Sequence, residues 1–289
     1  MLPRAARDLL DRLRVRALPR LTGSDPGGHR SGARAQGLAF AERREYLPGD
    51  DARSIDWKAF ARTRALTVRT FEEERDARAY VLVDVSRSMS RGEPPKIDAA
   101  RGLASALGWA ATGHGDGVRL VPFAASAAEG SPSYHRRDDH PALEAFLGAL
   151  GVEGTTSFGE AARGFARRHP RPGPTFVVTD LLSLEDWDPG LRLLAQSGHP
   201  ATVLRVCCVE DHAPDFDGEL DLVDSETGET LSITATKSLR EAYRTELSAH
   251  VSRVREACVR AGGALLEVDA EQPVDVSVRA VLAPALEHA

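Results

Sequence analysis

Apolar residues in the larger, C-terminal part of the chain form short runs that alternate with helical patterns. Continuous apolar runs predict buried β-strands at 79–85, 117–123, 175–179, 202–209 and 264–268. Apolar positions at helical spacing predict helices at 98–111, 141–150, 158–168, 184–197 and 272–285. Short buried strands separated by helices predict an α/β fold with a doubly wound, mostly parallel sheet covered on both faces.

Two further elements are predicted within this α/β region. Residues 220–223 and 230–233 flank a turn signal and predict a β-hairpin insertion. Ser238, with Glu241 three residues later, matches a capping box and predicts the start of a long helix. The apolar stripe that we expect to lie on the sheet consists of Leu239, Tyr243, Leu247, Val251, Val254 and Cys258.

The first 76 residues follow a different pattern. Residues 2–18 have apolar positions at helical spacing opposite arginines, 22–37 are rich in glycine, and 65–71 alternate as in a strand with one wet face. We therefore divide the chain into a basic arm and charged segment at 1–76 and an α/β domain at 77–289.

Charge is unevenly distributed over the 289 residues. The net charge is −6, but residues 1–36 contain eight arginines and three aspartates, a local balance of +5 that leaves −11 on the rest. The basic amphipathic segment predicts either a helix packed on the acidic body or a contact with an anionic membrane or acidic partner. We favour packing, because its alanines form a shallow apolar face.

The lengths of the apolar runs and the cysteine content indicate the cellular compartment that we expect. No apolar run reaches the roughly 18 residues needed to span a bilayer, and no signal-peptide pattern is present. The three cysteines (Cys207, Cys208 and Cys258) suit reduced thiols better than a disulfide framework. We expect a cytoplasmic protein without a transmembrane segment and without a nucleic-acid partner.

Oxygen-bearing side chains occur at three places in the sequence that we expect at the edge of the sheet. Asp84, Ser86 and Ser88 form a DxSxS pattern after the first strand, Thr156 lies in a glycine-containing turn, and Asp180 ends a later strand. Open α/β sheets place ligands at this carboxyl edge. Hard oxygen ligands without histidine or thiol favour Mg²⁺, or Mn²⁺, over zinc or copper. DxSxS alone is also compatible with a helix cap and turn cluster. We expect Asp84 and Ser86 at a loop edge rather than in the core.

The three-part pattern resembles the metal-ion-dependent adhesion site of von Willebrand factor A domains, which have a Rossmann-like fold. The resemblance implies that Ser86, Ser88 and Thr156 are direct or near-direct ligands. It also implies that Asp84 and Asp180 hold the ion directly or through water. Such a site leaves one coordination position open for an acidic side chain of a partner.

A second resemblance is found upstream. The segment from Arg44 to Trp57, REYLPGDDARSIDW, is similar to the signature of the domain of unknown function 58 family, which is built on the same fold. Six residues of this segment form either a structural salt-bridged network or a partner-docking surface: Arg44, Asp50, Asp51, Arg53, Asp56 and Trp57. The family resemblance implies a link with MoxR-type AAA+ ATPases, with this chain as an adaptor in the maturation of protein complexes.

Common catalytic motifs are absent from the sequence. None of the three lysines lies in a phosphate-binding GxxxxGK[ST] loop, and neither HExxH nor GxSxG occurs. We therefore expect a non-enzymatic, Mg²⁺-dependent interaction module. The alternatives are a metal-dependent hydrolase and a structural protein with a vestigial metal site.

Overall fold

The computed structural model describes residues 2–13, 39–45, 60, 62, 66–72, 79–113, 117–183, 185–212, 217–225 and 227–287. The chain divides into two compact units, one formed by residues 25–76 and the other by residues 1–24 and 77–289. The smaller unit contains the antiparallel strands β1 (Ala39–Glu45) and β2 (Thr67–Glu72).

The larger unit has the following order of elements: α1 (Arg4–Leu13), β3 (Ala79–Asp84), α2 (Lys96–Gly113), β4 (Val118–Phe123), α3 (His140–Gly148), α4 (Phe158–Arg168), β5 (Thr175–Thr179), α5 (Asp188–Gln196), β6 (Ala201–Cys207), α6 (Val209–His212), β7 (Gly218–Val223), β8 (Thr230–Ala235), α7 (Lys237–Arg260), β9 (Ala264–Asp269) and α8 (Val274–Glu287). Short 3-10 helices lie at Arg87–Ser90 and Arg137–Asp139. Strands β7 and β8 pair antiparallel as the predicted hairpin.

Five strands form a parallel sheet in the order β4-β3-β5-β6-β9. The chain passes from β3 to β4 on one side and then returns to place β5 on the other side of β3. Crossovers in opposite directions create a switch point between β3 and β5, the place where open α/β sheets generally bind ligands. The α/β, doubly wound fold class predicted from the sequence is confirmed.

Each face of the sheet is covered by its own layer of helices. Alternate strand residues point to opposite faces, so Val81 and Val83 pack in one apolar cluster and Leu82 in the other. The first cluster includes residues of α1, α2, α3 and α8. The second includes residues of α4, α5 and α7. This burial on both faces explains why the strands are continuously apolar rather than alternating.

Helix α1 packs on the α/β unit. Leu2, Ala6 and Leu10 are buried in the first apolar cluster. At the rim, Asp11 accepts a hydrogen bond from the indole Nε1 of Trp109 and forms an ion pair with Arg137. The packed interpretation of the basic segment is confirmed for this helix, while the remainder of the predicted 2–18 helix lies outside the described residues.

Helix α7 differs from the prediction in two respects. It begins at Lys237, and Thr236 is the N-cap, because the Thr236 hydroxyl accepts the Leu239 N–H at 3.2 Å. The predicted Ser238 capping box is therefore wrong. Only the second half of the apolar stripe is buried, since Leu239 is 40% exposed and Tyr243 38% exposed. The helix therefore extends past the edge of the core at its N-terminal end.

The helix predicted at 184–197 begins later, at Asp188. Pro189 stands in its first turn, where the missing N–H and fixed φ of proline are tolerated. The preceding loop makes specific contacts instead: Leu181 has a positive φ of 58°, and the Glu185 carboxylate accepts the N–H of Phe158. Trp187 then stacks on Phe158 at 4.0 Å between ring centroids.

Two further predictions concern the cysteines and the membrane. Cys207, Cys208 and Cys258 are all free and buried, as the reduced-thiol interpretation requires. Among the described residues, none of the helices is both long enough and apolar enough to cross a bilayer.

Candidate metal site

The candidate site begins where β3 ends at the switch point of the sheet. One carboxylate oxygen of Asp84 accepts the backbone N–H of Ser86 at 3.0 Å. Its other oxygen accepts the hydroxyl of Thr179 at 2.7 Å. The hydroxyls of Ser86 and Ser88 lie 3.0 Å apart at the start of the 3-10 helix. The DxSxS turn thus brings its carboxylate and two hydroxyls into one cluster.

Thr156 joins this cluster from the loop between α3 and α4. Its hydroxyl donates to Asp84 Oδ2 at 3.4 Å, a long hydrogen bond. The loop is fastened to the DxSxS turn by two backbone hydrogen bonds, from Arg87 N–H to the carbonyl of Gly154 and from Glu153 N–H to the carbonyl of Val85. Gly154 has a φ of +82°, a conformation that glycine adopts without strain. The structure thus places Thr156 beside the Asp84 carboxylate.

Asp180 follows β5 and is held by different partners. Its Oδ1 accepts the N–H of Leu182 at 3.1 Å, and its Oδ2 accepts the ammonium of Lys96 at 2.7 Å. The same ammonium donates to both carboxylate oxygens of Asp211, at 3.3 and 3.4 Å. The third predicted motif residue is therefore already paired with a protein cation.

Lys96, Asp211 and Thr179 were not singled out by the sequence analysis. Lys96 is fully buried at the start of α2, and Asp211 lies in the short helix α6 after β6. A signal was available for Lys96: it is one of only three lysines and occurs in the segment that directly follows the DxSxS motif. Thr179 immediately precedes Asp180, and its hydroxyl also accepts the N–H of Leu181 at 3.3 Å.

Burial dominates the electrostatics of the cluster. Asp84 and Ser86 have no exposed surface, and Ser88 is 4% exposed. The expectation that Asp84 and Ser86 lie at a loop edge is wrong, because the DxSxS turn is covered by the loop that contains Thr156. Burial, followed by the negative charge of Asp180, raises the pKa of the Asp84 carboxyl to about 7. A cation beside Asp84 would oppose both effects.

The buried Lys96 remains a cation. Burial lowers its pKa, but the charges of Asp180 and Asp211 outweigh this effect, so that the pKa lies above its usual value. When all groups are ionised, the three carboxylates of Asp84, Asp180 and Asp211 exceed the single ammonium by two negative charges. The donor set of carboxylates and hydroxyls, with this remaining negative charge, fits a hard divalent cation such as Mg²⁺.

The predicted partner-binding residues lie in the smaller unit. Arg44 is in β1, where its backbone is in register with Val68 of β2. The other five lie outside the described residues: Asp50, Asp51, Arg53, Asp56 and Trp57. The alternatives of a structural network and a docking surface therefore both remain for this segment.

A doubly wound parallel sheet with an oxygen cluster at its switch point places the chain among α/β proteins with the von Willebrand factor A type of architecture. The family model described as "Protein of unknown function DUF58" matches residues 42–253. The chain belongs to this family.

Curated relatives include the uncharacterized proteins Mb1516 of Mycobacterium bovis and Rv1480 of Mycobacterium tuberculosis. Each is 27% identical over 257 residues, which cover 86% of this chain and 80% of the relative.

Similar solved structures include the conserved hypothetical protein BatB of Bacteroides thetaiotaomicron, with 19% identity, coverage of 73% of this chain and 100% of that chain, and a TM-score of 0.45. The VWA domain of SpRpn10 has 9% identity, coverage of 70% and 93%, and a TM-score of 0.40.

Proposed function

We propose that this protein is a non-enzymatic interaction module that binds Mg²⁺ through Asp84, Ser86, Ser88, Thr156 and Asp180 and uses the ion to bind a partner's carboxylate. The observation that carries the proposal is the convergence of the DxSxS turn and Thr156 on the buried Asp84 carboxylate. Mn²⁺ is the expected substitute ion, because it prefers similar oxygen ligands.

Lys96 reduces the negative charge of the cluster, which supports a carboxylate as the partner group. Asp84, Asp180, Asp211 and Lys96 together carry two net negative charges when ionised. A divalent cation neutralises these two charges, and an incoming Asp or Glu side chain then completes the coordination of the ion. Because Lys96 already neutralises part of the acidic set, the ion stays electrophilic towards an additional carboxylate.

The contacts around the cluster support binding rather than catalysis. The partners of Asp84 and Asp180 described above are hydroxyls, backbone N–H groups and an ammonium. These contacts fix the carboxylates in place, and no imidazole or thiol takes part in them. By family resemblance, the partner that we propose is a MoxR-type AAA+ ATPase, with this chain as an adaptor in the maturation of protein complexes.

Calorimetric titration with Mg²⁺ tests the ion. Asp84→Asn is preferable to Asp84→Ala, because it leaves no cavity at this buried position. We expect Asp84→Asn to abolish Mg²⁺ binding, whereas the matched control Asp98→Asn on α2 should bind like the wild type. Equal Mg²⁺ affinity in the wild type and Asp84→Asn would exclude the assigned site. Absence of binding in both would favour a vestigial site.

Capture of the MoxR-type ATPase from the same cell tests the partner. We expect capture in Mg²⁺ and release by a chelator. Thr156→Ala should weaken capture in Mg²⁺ without adding to the effect of the chelator, as for groups that act through one ion. Capture that survives chelation but is lost in Arg44→Ala would assign recognition to the smaller unit. Turnover of phosphoesters that depends on Asp84 would instead support a hydrolase.

A further inference from the structure

A second polar cluster lies between α7 and the strands β6 and β9, apart from the metal site. It lines a cavity of about 190 Å³. Helix α7 contributes Arg244, Ser248, Ser252 and Arg255, which share one face of the helix because they are spaced by three or four residues. Sites for drug-sized ligands measure roughly 300–1,000 Å³, so this cavity suits a single small group.

Arg205 lines this cavity from β6 and is 2% exposed. Its Nη1 donates to the Glu267 carboxylate on β9 at 3.0 Å, and the two residues are direct neighbours in the strand register. Its Nε and Nη2 are buried and have no hydrogen-bond partner among the residues that the structure describes. Together these two nitrogens form one edge of the guanidinium. Such an edge generally binds an oxyanion with two parallel hydrogen bonds.

Positive charge exceeds negative charge around the cavity. Three guanidinium groups line it, those of Arg205, Arg244 and Arg255, against the single carboxylate of Glu267. Arg255 donates to the same carboxylate at 2.7 Å, so Glu267 serves two arginines. Arg244 uses its Nε to donate to the carbonyl of His212, and its other nitrogens are not engaged in that contact. The local surplus is two positive charges.

A cation site is the competing interpretation of the same region. Ligand atoms of Cys207, His212 and Glu267 lie within 4.8 Å of one another, a set of donors that zinc would accept. However, Glu267 is already paired with two arginines, and an entering cation would meet the Arg205 guanidinium. Burial also raises the pKa of the Cys207 thiol to about 11, so the thiolate that zinc needs is scarce.

We propose that this cavity binds a phosphate group, with Arg205 as the buried anchor, Arg244 at the rim and the hydroxyls of Ser248 and Ser252 as further donors. The group is either inorganic phosphate or the phosphate of a phosphorylated side chain, because both present the same oxygens. The proposal is independent of the Mg²⁺ site.

Calorimetric titration of the full chain with inorganic phosphate tests the proposal. It is run without Mg²⁺ and at constant ionic strength, with chloride as the reference anion. We expect saturable phosphate binding by the wild type. Arg244→Met should weaken it about tenfold or more, the effect of one lost charge-assisted hydrogen bond. Arg253→Met is the matched control, because it removes an exposed arginine of the same helix that pairs with Glu246. It should change the affinity less than about twofold.

Arg205→Met tests the anchor and should abolish binding. If Arg205→Met does not fold, Ser248→Ala tests the same cavity. It should weaken phosphate binding with little effect on stability. O-phosphoserine identifies the source, since tighter binding than inorganic phosphate indicates a phosphorylated side chain and equal binding indicates the free ion. No binding above the chloride reference, or equal loss in Arg244→Met and Arg253→Met, would overturn the proposal. Zinc-dependent stabilisation that Cys207→Ser abolishes would overturn it in favour of a cation site.

Discussion

Lys96 and Arg205 are two buried cations near the carboxyl end of the same sheet, and their surroundings differ. Lys96 is matched by two carboxylates, those of Asp180 and Asp211. Arg205 is matched by one carboxylate, Glu267, which it shares with Arg255. The short helix α6 separates the two regions, because Asp211 contacts Lys96 and the next residue, His212, lines the Arg205 cavity.

The difference indicates which kind of ion each region is suited to bind. A buried charge is costly unless it is paired and hydrogen-bonded. Around Lys96 the excess is negative, since Asp84 adds a third carboxylate, and a cation would reduce it. Around Arg205 the excess is positive, and two donors of the guanidinium have no partner within the described part of the chain, so an anion would reduce this excess. The same sheet thus presents regions of opposite local charge on either side of α6.

The largest effect is expected from Lys96→Met. This change removes the ammonium and leaves two buried carboxylates without their partner, which should lower the free energy of unfolding by about 3–5 kcal/mol. Urea denaturation measures it. Lys237→Met is the control, because Lys237 is exposed, and it should stay within about 0.5 kcal/mol of the wild type. A loss below about 1 kcal/mol for Lys96→Met would mean that the ion pair is not a stabilising element.

The next largest effect on the free energy of unfolding is expected from Mg²⁺ binding to the acidic region around Lys96 and Asp84. At a concentration about 100 times its Kd, a ligand that binds only the folded state adds about 2.7 kcal/mol to the free energy of unfolding. We expect this increase for the wild type and none for Asp84→Asn in the same denaturation assay. Stabilisation of both proteins by Mg²⁺ would place the ion elsewhere.

Arg205→Met should have a smaller effect than Lys96→Met. Its partner Glu267 is 38% exposed and keeps the contact with Arg255, so no carboxylate is left buried and unpaired. We expect a loss of about 1 kcal/mol, typical of one net hydrogen bond. Thermal or urea unfolding measures it alongside the Lys96 variant. If Arg205→Met lowered the free energy of unfolding as much as Lys96→Met, the charge of the Arg205 guanidinium would be fully paired in the folded protein. The proposed difference between the two buried cations would then be excluded.

The smallest effect concerns His250, a buried residue of α7. Burial lowers its pKa, and the positive charges of Arg253 and Arg205 act in the same direction. The unfolded chain therefore binds a proton more readily than the folded chain below about pH 6.5, so stability should fall as the pH decreases through that range. His250→Gln should remove about 1 kcal/mol or less of this loss between pH 7 and pH 5.5, measured by urea denaturation at each pH. An unchanged pH profile in His250→Gln would assign the loss to other groups.

Local sequence patterns predicted most of the α/β unit because its strands are buried on both faces. Helix α4 and strand β5 have the predicted bounds. The errors occur where side-chain contacts decide the outcome: Thr236 rather than Ser238 caps α7, and the loop before α5 is fixed by the contact of Glu185 with Phe158. Neither contact follows from apolar periodicity.

The sequence determined the candidate oxygen cluster because each of its motifs ends or follows a strand or turn that can be recognised locally. Parallel topology then brings the strand ends to one edge. Only the tertiary structure revealed the charges around that cluster and the second cavity. Lys96 meets Asp180 and Asp211 across 84 and 115 residues, and Arg205 meets Glu267 across 62. Contacts over such separations depend on the order of strands in the sheet, which local periodicity does not encode.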